Sequence, residues 1–399
     1  MDDQHAISLF GVTNGREPRK TFGIKQADRL FHMYTLGRTG SGKSTLLETL
    51  AIQDIQSGRG CAFIDPHGDA AERLLHHVPP SRQADLIYWN VPDPAQPYGY
   101  NPLRKVRKDK IPLAASGLLE ALHKHWIDAW GVRMEHILRF AIYALLEYGE
   151  ATLPDILTMC FDKDFRQEVL ASVKNEQVHS FWKVEYPKLN PLYRKDAVAP
   201  IQNKIGAFLA DPRLYRILTA APIELSFRRI MDEGKVLIVN LAKGTLGEDS
   251  ANLLGALLVS TLSVAAFSRV EVPEEDRKPF YLFIDEFQCF TTLAVANMIS
   301  ELRKYKVGLV LAHQHLHQLE PDVQHSVLAN VGTLIAFRLG PEDAPIIARE
   351  LSPTFAVGDL VHLASHDVIL KLMIDGAASM PFSARTIAPR RVSPRSEGH

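Results

Sequence analysis

One glycine-rich segment, Gly37-Arg-Thr-Gly40-Ser-Gly42-Lys43-Ser44-Thr45, constrains the fold of this chain more than any other. It fits the pattern G-x-x-x-x-G-K-[ST] in full. A short apolar run at residues 32–36 precedes it, and apolar residues at helical spacing follow it until Gly58. Glycines at these positions let backbone N–H groups turn inward around a phosphate without a Cβ in the way. The segment therefore predicts a phosphate-binding loop between a strand and a helix.

The side chains of this loop have separate predicted roles. Lys43 brings a compact positive charge to the β- and γ-phosphate oxygens of a nucleoside triphosphate, and the Ser44 hydroxyl ligates Mg²⁺. The N-terminus of the following helix adds its positive dipole. We therefore predict ATP and Mg²⁺ as the cofactors. The predicted nucleotide-binding positions of the loop are Gly37, Thr39, Gly40, Ser41, Gly42, Lys43, Ser44 and Thr45.

A second segment, Tyr281-Leu-Phe-Ile-Asp285-Glu286, supplies the acids that such a loop requires. An apolar strand that ends in aspartate delivers the carboxylate to the phosphate edge of a sheet, where it supports the metal. The adjacent Glu286 is placed to activate a water molecule for attack on the γ-phosphate. Alone, this pattern is also typical of a strand end with solvated acids. Together with the loop, it predicts that Asp285 holds magnesium and that Glu286 is the catalytic base.

Gln314 and Asp65 are further candidates for the same site. Gln314 follows the apolar run at residues 307–312 and is placed to sense the γ-phosphate. Asp65 ends the run at residues 61–64, either as a ligand at a carboxyl strand end or as part of an Asp-Pro-His-Gly turn. The alternating His313, His315 and His317 lack a fourth ligand nearby, so we predict no zinc site there.

Arg303 lies between the acidic segment and Gln314, at the end of a predicted helix. One interpretation is a cation that stabilises the C-terminus of that helix. The other is an arginine that is donated to the nucleotide of a neighbouring subunit, as many nucleotide hydrolases require. Both interpretations fit the sequence.

The order of the apolar runs predicts an α/β fold with an interruption. The 399 residues are 46% hydrophobic and 23% charged, which excludes a disordered or collagen-like chain. Strand-like runs surround the loop and return from residue 236 onward, which indicates a mostly parallel sheet covered on both faces. Between residues 111 and 220 the apolar residues recur at helical spacing instead. We predict a core of residues 1–105 and 221–388, an all-helical insertion at 106–220, and a disordered tail at 389–399.

Charge and composition restrict the binding partners and the cellular compartment that we expect for the protein. The net charge of −1 excludes a wholesale polybasic nucleic-acid binder but allows a local basic surface. The scattered Cys61, Cys160 and Cys289 indicate reduced thiols in a cytosolic protein. The uncharged segment at residues 250–268 is long enough to span a bilayer, but its polar residues and its place between strand-like runs favour a buried helix. We therefore expect a cytoplasmic protein with no membrane span.

A basic run opens the helical segment, and its residues are our candidates for DNA contact. The run is either a solvated linker or a surface that binds phosphates without sequence preference. The candidate residues are Arg104, Lys105, Arg107 and Lys108.

Taken in order, these motifs resemble the HerA/FtsK-type DNA-pumping ATPases, and within them the coupling proteins of type IV secretion and conjugation. The resemblance covers nearly the whole chain, and the helical insertion is similar to the all-alpha domain of the coupling proteins. The motifs that carry it are the Lys43 loop, Asp65-Pro-His-Gly-Asp69, Asn101-Pro-Leu103, Asp285-Glu286, Arg303-Lys-Tyr305 and Ala312-His-Gln314.

The resemblance implies a RecA-like core that assembles as a ring, usually a hexamer, with nucleotide at the subunit interfaces. It implies that Gln314 is the γ-phosphate sensor and that Arg303 acts in trans, with Arg338 on the following strand as the fallback. Coupling proteins usually begin with transmembrane helices, and HerA proteins with a small β-barrel, and neither pattern precedes the loop here. We therefore expect a separately encoded partner, such as a membrane component, a nuclease or another effector.

Three functions are consistent with these features. The first is ATP-driven translocation of DNA. The second is an ATPase that energises protein secretion or assembly without moving DNA. The third is a nucleotide-gated ring that acts as a scaffold for a partner enzyme. The basic run favours the first function, and the intact Glu286 argues against the third.

Overall fold

The computed structural model describes residues 5–15, 17–291 and 293–389, and the chain divides into two compact units. We call them the sheet unit (Met1–Trp89, Arg228–Ala242 and Arg269–His399) and the helical unit (Asn90–Phe227 and Lys243–Ser268). The tail that we predicted to be disordered lies, after Pro389, outside the described residues.

The strands lie mostly in the sheet unit, but two short ones, at residues 98–99 and 223–224, belong to the helical unit. They are β1 (Ile7–Thr13), β2 (Thr21–Lys25), β3 (Met33–Leu36), β4 (Gly60–Asp65), β5 (Leu86–Asn90), β6 (Tyr98–Gly99), β7 (Ile223–Glu224), β8 (Val236–Asn240), β9 (Phe280–Ile284), β10 (Val307–His313), β11 (Thr333–Ala336), β12 (Asp367–Lys371), β13 (Met373–Ile374), β14 (Ala377–Ala378) and β15 (Phe382–Thr386). The pairs β6–β7 and β13–β14 form separate two-stranded sheets.

The helices are distributed over both units, with an uninterrupted series between β6 and β7. They are α1 (Gln26–Arg29), α2 (Lys43–Gln56), α3 (Asp69–Leu75), α4 (Ile111–His125), α5 (Val132–Tyr148), α6 (Asp155–Phe161), α7 (Lys163–Ser172), α8 (Glu176–Ser180), α9 (Tyr186–Lys188), α10 (Pro191–Leu209), α11 (Pro212–Thr219), α12 (Phe227–Glu233), α13 (Lys243–Leu246), α14 (Glu248–Ser268), α15 (Leu293–Glu301), α16 (Pro321–Asn330), α17 (Ala344–Glu350) and α18 (Val357–Val361).

An eleven-stranded sheet organises the sheet unit, in the order β2-β1-β15-β12-β11-β3-β10-β9-β4-β8-β5. From β11 to β8, neighbouring strands pair in parallel. Every residue of β3, β4, β8, β9 and β10 is buried, which explains why these strands are apolar runs without alternation. The predicted α/β fold, with a mostly parallel sheet and a helical insertion, is confirmed.

The sheet extends beyond its parallel part through antiparallel strands. β12, β15, β1 and β2 pair antiparallel, so the N-terminal hairpin joins the sheet through the C-terminal strand β15. We predicted no strand at β5 or β15. Both are only partly buried, so they lack the continuous apolar run by which we identified the central strands.

A buried ion pair closes the strand–loop–helix segment around the glycine-rich loop. Arg29 lies at the end of α1, just before β3, and its guanidinium donates hydrogen bonds of 2.6 and 2.8 Å to the carboxylate of Asp54 in α2. Neither side chain has any exposed surface. The guanidinium carbon also lies 3.8 Å from the centre of the Tyr281 ring in β9. The pair therefore joins the elements on both sides of the loop and fixes them against the central sheet.

The helical unit is built around α4, which packs against α5 and α14. Gly117 of α4 faces Ser260 of α14 so closely that a Cβ there would lie 2.2 Å from the serine hydroxyl oxygen. The boundaries of the two units differ from the domain bounds that we predicted. Residues 243–268 belong to the helical unit because α14 completes its core, and residues 90–105 belong to it as well.

The apolar segment that includes α14 also bears on the question of a membrane span. Among the described residues, one helix, Glu248–Glu271, is long and apolar enough to cross a bilayer, with a mean hydropathy of 1.8. Inside the protein, 78% of its most apolar stretch is buried. That burial favours our prediction of a core helix, which we based on the polar residues of this segment.

The buried ion pair generates a stability prediction. Asp54→Ala leaves the Arg29 guanidinium buried without its counter-charge, which is expected to lower the free energy of unfolding by about 3–5 kcal/mol. Urea unfolding monitored by circular dichroism measures the change. The control, Glu233→Ala, removes an exposed carboxylate that pairs with Arg229 and Lys235 and should leave the unfolding midpoint nearly unchanged. Equal effects of the two substitutions would show that the buried pair does not stabilise the fold.

Candidate functional site

The carboxyl ends of five neighbouring strands meet at one edge of the sheet, because these strands are adjacent and parallel. In α/β sheets this edge is where ligand-binding groups collect. The residues that follow β11, β3, β10, β9 and β4 are, in that order, Arg338, the glycine-rich loop, Gln314, the pair Asp285–Glu286, and Asp65 at the end of its strand. Sequence positions far apart are thus brought to one edge.

The loop has a backbone that only glycine allows at two positions. Gly40 and Gly42 have φ angles of +73° and +119°, in the left-handed region that L side chains avoid. A Cβ on Gly42 would also lie 2.7 Å from the Nδ1 atom of His366. The Ser41 hydroxyl is buried and has no hydrogen-bond partner in the described part of the chain. A loop that turns through glycines and holds an unpaired buried hydroxyl fits a phosphate ligand.

Lys43 is the first residue of α2, and its amine is turned back into the loop. It donates hydrogen bonds to the carbonyl oxygens of Gly37 at 2.6 Å and Arg38 at 3.2 Å. Burial lowers the pKa of Lys43, while the nearby carboxylates of Asp285 and Glu286 act in the opposite direction. The amine is therefore held in the centre of the cradle, where a phosphate can replace the carbonyl oxygens as its partner.

Ser44 and Asp285 provide a pair of oxygen atoms beside the loop. The Ser44 hydroxyl donates a 2.6 Å hydrogen bond to Asp285 Oδ2, and the Glu286 backbone N–H donates to Oδ1 at 3.0 Å. Burial raises the pKa of Asp285, and the carboxylates of Glu286 and Asp65 raise it further. Hydroxyl and carboxylate oxygens are the ligands that Mg²⁺ prefers. The donor set therefore fits the predicted magnesium ion, whose charge would offset this crowding of negative groups.

A hydrogen-bonded chain connects the loop to Glu286. Thr39 Oγ1 donates to Gln314 Oε1 at 2.9 Å, and Gln314 Nε2 donates to Glu286 Oε1. Gln288 Nε2 donates to the other carboxylate oxygen of Glu286. Glu286 itself is buried and has a φ of +50°, an unusual backbone for a non-glycine residue. Gln314 thus lies between the tip of the loop and the acid that we predicted to activate water.

Asp65 is placed near the acids, but its own oxygens are used within a turn. Its carboxylate accepts 2.9 Å hydrogen bonds from the backbone N–H groups of His67 and Ala71, at the start of α3. The turn interpretation of Asp65 therefore accounts for both oxygens, while its charge still acts on Asp285. Its role as a nucleotide ligand stays a prediction.

Two residues at this edge were missed by the sequence analysis. His366 donates its backbone N–H to the Ser41 carbonyl at 2.8 Å, and its ring lies against Gly42. No motif marks this histidine, because it reaches the loop from a distant part of the chain. Gln288, which contacts Glu286, lies only two positions after it, and that proximity was the available signal.

The histidines around Gln314 have structural partners. His313 is fully buried and lies within 2.8 Å of the Tyr34 hydroxyl, and His315 lies 3.2 Å from the Asp343 carboxylate. In the described ranges, no group of three or more His, Cys, Asp or Glu side chains is gathered as a metal site would require. These contacts give His313 and His315 a role in packing.

Arg303 lies away from this edge, near the amino ends of the strands. It precedes β10, whereas Gln314 follows the same strand. Its guanidinium carbon lies 3.4 Å from the centre of the ring of Phe31, just before β3. Arg338, in contrast, lies beside the loop of its own chain, since its carbonyl accepts the Arg38 N–H at 2.9 Å. The exposed Arg303 side chain therefore lies away from the phosphate-binding loop of its own chain.

The basic run lies in the helical unit, and its four candidates differ. Arg104 donates to the Leu225 carbonyl at 3.0 Å, and Arg107 is paired with Asp109 at 2.8 Å. Lys105 and Lys108 are exposed. Arg107 is exposed as well, so the two lysines differ from it in having no ion pair within the described part of the chain.

Comparison with known proteins gives a family and a fold. The family described as the type IV secretion-system coupling protein DNA-binding domain matches residues 23–351. Among solved structures, the plasmid coupling protein TrwB in complex with ADP and Mg²⁺ is similar, with a TM-score of 0.66 and 17% sequence identity over 98% of this chain and 97% of that one. VirB4 of Thermoanaerobacter pseudethanolicus is similar with a TM-score of 0.63 and 14% identity, over 95% of this chain and 96% of that one. No curated protein matches the sequence.

The crowding of acids generates a prediction about pH. The folded-state pKa of Asp285 lies above its ordinary value of 3.8, so the folded state binds the carboxyl proton more tightly than the unfolded state does. The free energy of unfolding therefore falls as pH rises from the ordinary pKa to the folded-state pKa. Asp285→Asn removes this cost, and the Ser44 hydroxyl can rotate to accept from the new amide. The nucleotide-free variant should therefore melt at a higher temperature than wild type at neutral pH.

Thermal unfolding between pH 4 and pH 8 measures this difference, which should grow with pH. The exposed Asp276→Asn serves as the control and should not change the pH profile. A melting temperature of Asp285→Asn at or below that of wild type would contradict the assignment of Asp285 as a destabilised buried carboxylate.

Proposed function

Because the chain belongs to the family of type IV secretion-system coupling protein DNA-binding domains, we propose that it is a cytoplasmic motor that hydrolyses ATP and translocates DNA. One observation carries the proposal. One hydrogen-bonded network at the edge of the parallel sheet joins the glycine-rich loop, the Ser44–Asp285 pair, the buried Glu286 and Gln314.

Each residue of this network has a part in hydrolysis. ATP with Mg²⁺ supplies a γ-phosphate whose transfer to water releases the free energy that the motor uses. The loop amide groups and Lys43 bind the phosphates, while Ser44 and Asp285 hold the metal. Glu286 accepts a proton from the attacking water. Gln314, which contacts both Thr39 of the loop and Glu286, senses whether the γ-phosphate is present.

Arg303 is proposed to act on the nucleotide of the next subunit in a ring, by homology a hexamer. The sheet unit holds loop and acids at the carboxyl edge, while Arg303 lies before β10 and is exposed. Its guanidinium rests on the Phe31 ring, a cation–π contact that restrains an otherwise flexible side chain. Arg338 is the weaker candidate, because it lies beside the loop of its own subunit.

DNA contact is proposed to be electrostatic and independent of sequence, as a motor that passes any sequence requires. The exposed Lys105 and Lys108 support this part of the proposal, whereas Arg104 is engaged with a backbone carbonyl. A separately encoded protein partner completes the system. The alternatives, an ATPase for protein secretion or a nucleotide-gated scaffold, predict no stimulation of hydrolysis by DNA.

The trans arginine generates a prediction for mixed rings. Arg303→Ala should retain ATP binding and lose roughly 10³-fold or more in turnover, because an arginine finger contributes on that scale. Lys43→Ala should be inactive because the phosphate cradle has lost its charge. Mixing the two variants should restore part of the ATPase rate, since some interfaces then combine an intact Lys43 with an intact Arg303.

The control for this experiment is Lys304→Ala, which removes the neighbouring exposed cation and its ion pair with Glu301. It should keep nearly the full rate. Native mass spectrometry establishes whether mixed rings form. Mixed rings without recovered activity would mean that Arg303 does not act on a neighbouring site.

DNA stimulation generates a second prediction. ATP hydrolysis should increase when DNA is added at low salt, and the increase should disappear as salt rises. Lys105→Ala combined with Lys108→Ala should reduce the slope of log affinity against log salt by about one unit for each DNA phosphate that the protein no longer neutralises.

Filter binding or fluorescence anisotropy across a salt series measures that slope. The matched control replaces Lys188 and Lys195, two exposed lysines of the helical unit outside the basic run, by alanine. If DNA does not change the ATPase rate at any salt concentration, the translocase proposal fails and the two alternative functions are favoured.

A further inference from the structure

A groove of about 670 Å³ lies within the helical unit, and its described lining contains no residue of the basic run. It is bounded by α7 on one side and by α8, α9 and the start of α10 on the other. Its walls carry an unusual concentration of basic side chains, and none of the described residues that line it is acidic. The lining residues that matter here are Lys163, Arg166, His179, Lys183, Arg194 and Trp182.

The basic groups of this groove lack acidic partners. None of the five forms an ion pair with a carboxylate in the described part of the chain. Some cations elsewhere in the helical unit are paired, as Arg139 is with Glu135 and Arg213 is with Asp211. A concave surface with charges of one sign concentrates the electrostatic potential and attracts ligands of the opposite sign. The groove therefore fits an anionic ligand.

The two arginines are held in place before any ligand arrives. Arg166 donates to the carbonyl oxygens of Met159 at 2.6 Å and Cys160 at 3.1 Å. The guanidinium carbons of Arg166 and Arg194 lie 5.3 and 5.7 Å from the centre of the buried Tyr186 ring. Side chains that are already ordered lose less entropy when a ligand binds.

A π-helical turn, Phe181–Glu185, shapes the opposite wall. Phe181 stacks on Phe140 at 4.2 Å between ring centres, and the Trp182 indole donates to the Phe140 carbonyl at 3.0 Å. These contacts anchor the turn, and Lys183 is left exposed on the groove side. Turns of this type occur frequently at functional sites.

The form of the groove favours a peptide over a nucleic acid. Its lining includes apolar residues, Leu170, Ala171 and Pro187, which a sugar–phosphate backbone does not use. Trp182 is only 1% exposed and offers no ring face for a stacked base, the usual device of single-strand binders. At 1.5 Å per residue, the wall formed by α7 is roughly 15 Å long, which accommodates about four or five extended peptide residues.

We propose that this groove binds an acidic segment of a partner protein, with an apolar side chain on Leu170 and Pro187 and carboxylates on the surrounding cations. The proposal deepens the proposed function, because it gives the chemistry of the separately encoded partner, but it does not depend on ATP hydrolysis. All the residues concerned belong to the helical unit.

The test measures binding of labelled peptides to the full chain without nucleotide, by fluorescence anisotropy. The probes are fifteen-residue peptides in which Asp and Glu surround one Leu or Phe, at four different spacings, together with the same peptides carrying Asn and Gln. A labelled oligothymidine strand is the nucleic-acid probe. At least one acidic peptide should bind, and its neutral counterpart should not.

Lys163→Glu combined with Lys183→Glu should weaken acidic-peptide binding by roughly tenfold or more, because attraction becomes like-charge repulsion. The matched control, Lys188→Glu with Lys195→Glu, reverses two exposed charges outside the groove and should bind as wild type does. Thermal melting establishes that both variants fold.

Three results would overturn the proposal: no acidic peptide binds, both double variants bind the peptide alike, or the groove variant loses affinity for the oligothymidine strand alone. The last result would assign the groove to nucleic acid. Because the assay contains no nucleotide, a failure here is separate from any failure of the ATPase experiments.

Discussion

The buried ion pair between Arg29 and Asp54 is the constraint on which the nucleotide edge depends. A phosphate cradle built from backbone amide groups works only when the strand before it and the helix after it keep a fixed distance. Arg29 stands before β3 and Asp54 stands in α2, so their charge-assisted hydrogen bonds close this segment. The Tyr281 ring then fixes the same guanidinium to β9, the strand that ends at Asp285 and Glu286. Loop and acids are thereby positioned by one buried group.

The parallel sheet also explains how chemistry is divided between its two edges. β10 has Arg303 before its first residue and Gln314 after its last, and β3 has Phe31 before it and the loop after it. The edge with the loop binds a nucleotide, while the opposite edge presents the proposed arginine to a neighbour. The two fully buried strands β3 and β10 thus connect the edge that carries the loop to the edge that carries Arg303.

Sequence patterns predicted the parts of this structure that arise from local or strongly periodic signals. The loop, the acids after β9 and the central strands were found because each combines an apolar run with a residue type that the chemistry demands. The contribution of β15, the neighbours His366 and Gln288, and the assignment of α14 to the helical unit were not found. These features depend on long-range packing, which a single sequence does not encode in local composition. The turn hydrogen bonds of Asp65 were anticipated as one of two alternatives, and the structure accounts for both of its oxygens through them.

The helix α14 has a consequence for how this protein folds during its synthesis on the ribosome. Its apolarity resembles that of a signal for membrane insertion, yet its place in the finished molecule is a core against α4. Because α4 precedes α14 in the chain by the whole helical insertion, the surface on which α14 packs is synthesised before the apolar helix leaves the exit tunnel. The order of translation thus makes α4 available when the apolar surface of α14 emerges. This order favours burial of α14 over capture by the machinery that inserts membrane helices.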